Sequence, residues 1–192
     1  NAMHDRVGEV YKKFFLDDSK PSFILAHSAS RMYMDLEKAG QKEDGYKSGE
    51  TTASQECSDW LADSRKKSLL ADIGIGTIDQ ALLAILKARH QSLRFYGLAR
   101  KVLIIDEVHA CDAYVNRLLR NLLKFHAAQG GSVILLSATL PMKQRKDFLA
   151  AFAEGRDLSY DKAVLLSDDY PLVIGITGTD FIEKSVESPV NL

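Results

Sequence analysis

Asp106, Glu107 and His109 follow directly on an apolar run in the stretch KVLIIDEVHACD. Carboxylates at the end of a rigid strand suit phosphoryl transfer, which relies mainly on positioning and charge neutralisation. In that chemistry Asp106 orients the hydration shell of a magnesium ion, and Glu107 positions or deprotonates the attacking water. A general base contributes typically about 10²–10⁴-fold. The plainer reading is that the two acids cap the following helix, where the helix dipole favours them. Ser137 and Thr139 follow the next apolar run, in LLSATLP. In a parallel sheet their hydroxyls lie beside the carboxylates, able to link a nucleotide site to something that moves. The plainer reading of Thr139 is an N-cap before Pro141.

The elements that must hold these residues alternate along the chain. Residues 3–15 read as an amphipathic helix rather than a signal peptide. A strand is expected at 22–27 and a helix at 28–38, then a polar, glycine-bearing loop or insertion at 40–54. A short helix around Trp60 precedes a strand near SLLADI. Ile78, Ala81, Leu82, Ile85 and Leu86 form an amphipathic helical stripe, and Val115, Leu118, Leu119, Leu122 and His126 form another. SVILLS is a buried strand, Pro141 suits the first turn of the next helix, and strands near AVLL and PLVIGI complete the pattern. Continuous apolar strands alternating with helices mean an α/β fold, a parallel sheet with helices on both faces. Ligands in such sheets collect beyond the carboxyl ends of the strands.

The 192 residues suffice for one sizeable core, and 46% hydrophobic with 27% charged residues describe an ordinary soluble domain. No apolar run approaches the roughly 18 residues of a membrane span. Cys57 and Cys111 form no CxxC pair, which fits a reducing cytoplasm and speaks against structural zinc. The His109–Ala–Cys111 triplet reads as a polar helix start beside a buried thiol. Net charge is −1, yet acids crowd residues 35–63. Beyond them Arg65, Lys66, Lys67, Lys87, Arg89, Arg94, Arg100 and Lys101 make a basic stretch of the kind that receives phosphate backbones, or a solvated face.

GIGTIDQALLAIL adds a third feature. Thr77 and Gln80 satisfy the capping-box pattern, and a helix start with exposed N–H groups is also a phosphate site. With GTIDQALLAILKARH, IIDEVHACDAYV and LLSATLP in register, the chain resembles superfamily 2 helicases. The resemblance is specifically to the CRISPR-associated helicase–nuclease of type I systems, over motifs from about Ile73 to Pro141.

That resemblance implies a RecA-like sheet and an ATP-driven translocase on single-stranded DNA, recruited by the crRNA-guided surveillance complex, with a separate HD nuclease domain degrading the DNA. It further implies Asp106 as the magnesium-orienting residue, Glu107 as the catalytic base, and His109 acting with them. Ser137 and Thr139 would serve coupling. Thr77 and Asp79 would lie along the DNA, with Arg65 and Lys66 as the neighbouring basic surface. None of the twelve glycines is followed by lysine, so the chain holds no P-loop, and the second RecA-like domain is also missing. The chain is therefore expected to be the C-terminal portion of a first RecA-like domain, spanning 1–192 with its P-loop strand absent. By itself it is expected to be inactive. A different DEAH-like helicase acting on RNA, or a non-catalytic RecA-like adaptor, remain the alternatives.

Overall fold

A computed structural model describes residues 6–10, 13, 21–26, 68–88, 90–161, 167, 169 and 171–186. The expected elements at 28–38, around Trp60 and at AVLL, the polar segment 40–54, and Arg65, Lys66, Lys67 and Arg89 lie outside the described residues. The chain divides into two compact units, Asn1–Leu98 and Ala99–Leu192. Residues 6–10 are helical, as the sequence pattern requires.

In the first unit, β1 (Phe23–Ala26) runs parallel to β2 (Ile73–Gly76), in register from Phe23↔Ile73 to Ala26↔Gly76. Side chains knot the pair at its start. Asp72 Oδ2 accepts from both the backbone N–H and the hydroxyl of Ser22, each at 2.8 Å, and Ser22 Oγ accepts from the Asp72 N–H at 2.9 Å. The strand expected at SLLADI therefore begins only at Ile73. Ser68–Leu70 is a 3₁₀ turn instead, because it packs under a later helix. There Gly97 comes so close that a Cβ would sit 2.6 Å from the Leu69 carbonyl oxygen. That later helix is α2 (Gln91–Leu98), preceded by α1 (Ile78–Leu82). The stripe of α1 is buried at Ala81 and Leu82. Regular helix stops there, however, and the chain continues by mixed bonds, tighter ones from Ala84 to Ala81 (3.0 Å) and Ile85 to Leu82 (3.1 Å) beside an α-type one from Leu86 to Leu82 (3.2 Å).

The second unit repeats the parallel pairing. β3 (Val102–Ile105) runs beside β4 (Ser132–Leu135), in register from Val102↔Ser132 to Ile105↔Leu135. The crossover between them is α3 (Ala113–Ala128), and α4 (Met142–Gly155) follows β4. The two helices pack on each other, and α3 packs on β4. The α3 stripe is buried as its spacing dictates, with Leu119, Leu122, Leu123, His126 and Ala127 all inside. Among the described residues, α3 packs on one face of this strand pair. On the other, Val102 and Ile104 are each 61% exposed.

PLVIGI does not join a parallel sheet as expected. β5 (Leu172–Thr177) pairs antiparallel with β6 (Asp180–Ser185), closed between Thr177 and Asp180. Gly178 in the loop has φ +63, the conformation a two-residue II′ hairpin turn asks of its first central residue. Pro141 is the N-cap of α4, so Thr139 is not. Among the described residues, no helix is long and apolar enough to cross a membrane.

Candidate active site

β3 and β4 end together, and backbone bonds carry their pairing past the last strand residues. Leu136 N–H donates to the Ile105 carbonyl at 2.9 Å, and Val108 N–H donates to the Leu136 carbonyl at 3.1 Å. These bonds fix the turn that bears Asp106 and Glu107. Glu107 has φ 54 and ψ 43, the left-handed region, where a non-glycine residue stores on the order of 1–3 kcal/mol of strain. Its N–H donates to Asp106 Oδ1 at 2.9 Å. Asp106 and Glu107 are both exposed.

The strained turn brings Glu107 to His109, with Oε2 3.1 Å from Nδ1. The same nitrogen lies 3.3 Å from Ser137 Oγ, across a sequence separation of 28. Ser137 Oγ donates to the Thr139 carbonyl at 3.0 Å. One proton arrangement serves all three contacts. The serine gives its hydrogen to the Thr139 carbonyl, and the imidazole N–H at Nδ1 is shared between the Glu107 carboxylate and the serine oxygen. Asp106, Glu107, His109, Ser137 and the Thr139 backbone thus form one connected cluster at the mouth of two parallel strands. The Thr139 side chain is not part of it among these contacts.

Capping falls to a different acid from those that the plainer reading proposed. Asp112, not Asp106 or Glu107, caps α3, accepting from Val115 N–H at 2.7 Å. Asn116 locks the same corner by donating to the Cys111 carbonyl at 2.9 Å. Burial and then the neighbouring Asp112 push the Cys111 thiol pKa up, which holds it in the inert protonated form.

At the end of β2 the capping-box sequence is present but its side-chain bond is not. Thr77 is the N-cap of α1 without a side-chain cap bond. Gln80 accepts instead from Arg94 Nη1 at 3.2 Å. Arg94 is only 7% exposed, and desolvation pulls its pKa down. It therefore leaves the basic surface to which its sequence neighbours assign it, while Lys87 and Arg100 stay exposed. Thr77 and Asp79 are both exposed. Sequence reading missed Arg94 as the partner of Gln80; its position on the inward side of α2 was the available signal.

No protein-family model matches the chain. The CRISPR-associated endonuclease/helicase Cas3 of Escherichia coli K12 is 42% identical over 176 residues, covering 90% of this chain and 18% of that protein. The crystal structure of T. fusca Cas3 with AMPPNP superposes with a TM-score of 0.75 at 31% identity, over 95% of this chain and 20% of that one. A chain from a pre-nicking CRISPR RNA-guided surveillance complex matches at 31% identity and a TM-score of 0.50, over 82% of this chain and 16% of that one. The chain thus spans about a fifth of the length of these relatives.

Proposed function

Starting from a chain that is a homologue of one stretch of the Cas3 helicase–nucleases and shares their partial RecA-like α/β fold, we propose that it supplies the hydrolytic half-site of an ATP-driven motor on single-stranded DNA. The observation that carries this reading is the cluster at the mouth of β3 and β4. Two carboxylates stand at a strand end, and one of them is linked through His109 to the next strand's serine.

Asp106 suits a magnesium ion held through water. Its Oδ1 is occupied by the Glu107 N–H, which leaves the second oxygen of an exposed carboxylate for the hydration shell. Such ions keep most of their waters and take one or two carboxylates beside the phosphates. When bound, the ion neutralises charge on the transferring phosphoryl group. Glu107 orients and deprotonates the water. His109 holds Glu107 and passes its position to Ser137, so a shift of the Ser137–Thr139 loop and a change at the nucleotide are felt at one nitrogen. Cradling the β- and γ-phosphates would fall to a P-loop elsewhere in the longer enzyme, so this chain alone would be inactive.

On the same reading Thr77 and Asp79, with Arg65 and Lys66, line the path of the DNA strand, and the crRNA-guided surveillance complex delivers that strand. The Thr77 hydroxyl is not spent on its own helix, which supports its use on an external phosphate. The test is phosphate release stimulated by single-stranded DNA, in the enzyme that carries this stretch. Asp106→Asn should abolish stimulation by weakening magnesium–nucleotide binding. Stimulated release from the 192-residue chain alone, well above its Glu107→Gln control, would overturn the half-site reading.

A further inference from the structure

His126 lies inside the second unit, 1% exposed, on the inward face of α3. Its Nε2 is 3.0 Å from the carbonyl of Lys101, just before β3, and 3.2 Å from the carbonyl of Ser132, the first residue of β4. Both partners only accept, so Nε2 carries the hydrogen and donates to each. Nδ1 is then a bare lone pair, buried and without a partner among the described residues. The Ser132 N–H also donates to the Lys101 carbonyl, at 3.0 Å. One backbone bond and one imidazole therefore pin the two strands at their roots. Gly131 lies against the ring so closely that a Cβ would collide with Nε2, Cε1 and Cδ2. From the C-cap of α4, Arg156 Nη2 donates to the Gly131 carbonyl at 3.0 Å, and its charge acts on the ring.

We infer that His126 is a positioning residue: a neutral imidazole clasp at the roots of β3 and β4, which sets the register that brings Asp106, Glu107 and Ser137 together at the far ends, and which a second proton opens. A proton on Nδ1 would be a buried cation with no acceptor among the described residues, and Arg156 repels it. Burial is the largest influence and pulls the His126 pKa down from 6.5, against the two carbonyl bonds that favour the charged ring. The unfolded chain therefore binds a proton near pH 6.5 that the folded chain takes up less readily. Stability from this group is present above that pH and falls as pH drops below it. The functional weight of the clasp rests on the roles proposed for Asp106 and Glu107. The clasp itself does not, and the following experiment reads it directly.

The 192-residue chain is followed from pH 7.5 to 5 by imidazole nitrogen NMR, by amide exchange and by denaturant unfolding, alongside His126→Gln. Glutamine donates from Nε2 but does not ionise. The wild-type ring should show hydrogen on Nε2 alone at pH 7.5. By pH 5 the folded-to-unfolded ratio should fall by up to about 30-fold relative to His126→Gln, the factor set by the gap between pH 5 and a reference near 6.5. Protection at the Ser132 and Leu136 amides should fall together. Equal acid sensitivity in the two proteins would overturn the clasp, as would a ring that titrates near 6.5 with both amides still protected. Loss of protection at Ser132 with Leu136 unchanged would overturn the positioning role. Should His126→Gln not fold, the ring and amide measurements on the unaltered chain decide alone.

Discussion

The carboxyl ends of β2 and β3 are built to opposite plans. After β3, the polar side chains turn on one another: Glu107 meets His109, His109 meets Ser137, and Asp112 caps the next helix. After β2, the Thr77 hydroxyl is left off its own helix start, Asp79 is exposed, and Gln80 is drawn aside by a buried arginine. The first exit is a network of side chains joined to one another, the kind of arrangement that preorganised chemistry uses. The second leaves Thr77 and Asp79 exposed to an outside partner. A strand that must slide cannot be held by a closed network, so the contrast fits the motor we propose, with hydrolysis at one exit and grip at the other.

The sharpest way to break that comparison is Glu107→Gln in the full enzyme. Turnover should fall by about 10²-fold or more, the scale of a lost general base, while ATP binding stays nearly intact. Thr77→Ala should leave hydrolysis without DNA unchanged. Single-turnover kinetics beside nucleotide titrations measure both, and near-normal turnover in Glu107→Gln would remove the chemical role of the β3 exit. A smaller effect separates the two helix starts by thermal melting of the chain. Asp112→Ala should lose about 1 kcal/mol, the usual worth of a formed N-cap bond. Thr77→Ala should lose only a few tenths of a kcal/mol, since no cap bond is there to remove. Equal losses would mean that Thr77 caps after all. The smallest effect is on the salt dependence of single-stranded DNA binding. Each phosphate contact removed, by charge reversal at Arg65 or Lys66, should flatten the log–log slope by about 0.7. An unchanged slope would take those residues off the DNA path.

Much of the second unit was legible from its sequence. The apolar run VLII with its terminal acids, the inward face of α3 and the SVIL strand all rest on periodicity, a local property. The β5–β6 hairpin carried its own sign in Gly178–Thr179 between two runs, but the strand–helix rhythm upstream drew β5 toward a parallel sheet. Regular helix past Leu82 was overestimated, because a buried stripe records burial and not the hydrogen-bond spacing beneath it.

The capping box at Thr77 is the instructive miss. Its pattern is intact, yet a guanidinium buried by packing needs an acceptor. The Arg94 bond to Gln80, charge-assisted and part-buried, outweighs a neutral local bond open to water. Residue types at the strand ends, and hence the chemistry available there, were determined by the sequence alone, since each depends on a few adjacent positions. Which side chain meets which was decided only by the tertiary structure: His109 with Ser137, Gln80 with Arg94, His126 with Lys101 and Ser132. Those pairings follow from which polar groups the packed helices bury together, and desolvation of that kind is set by the whole fold rather than by any local pattern.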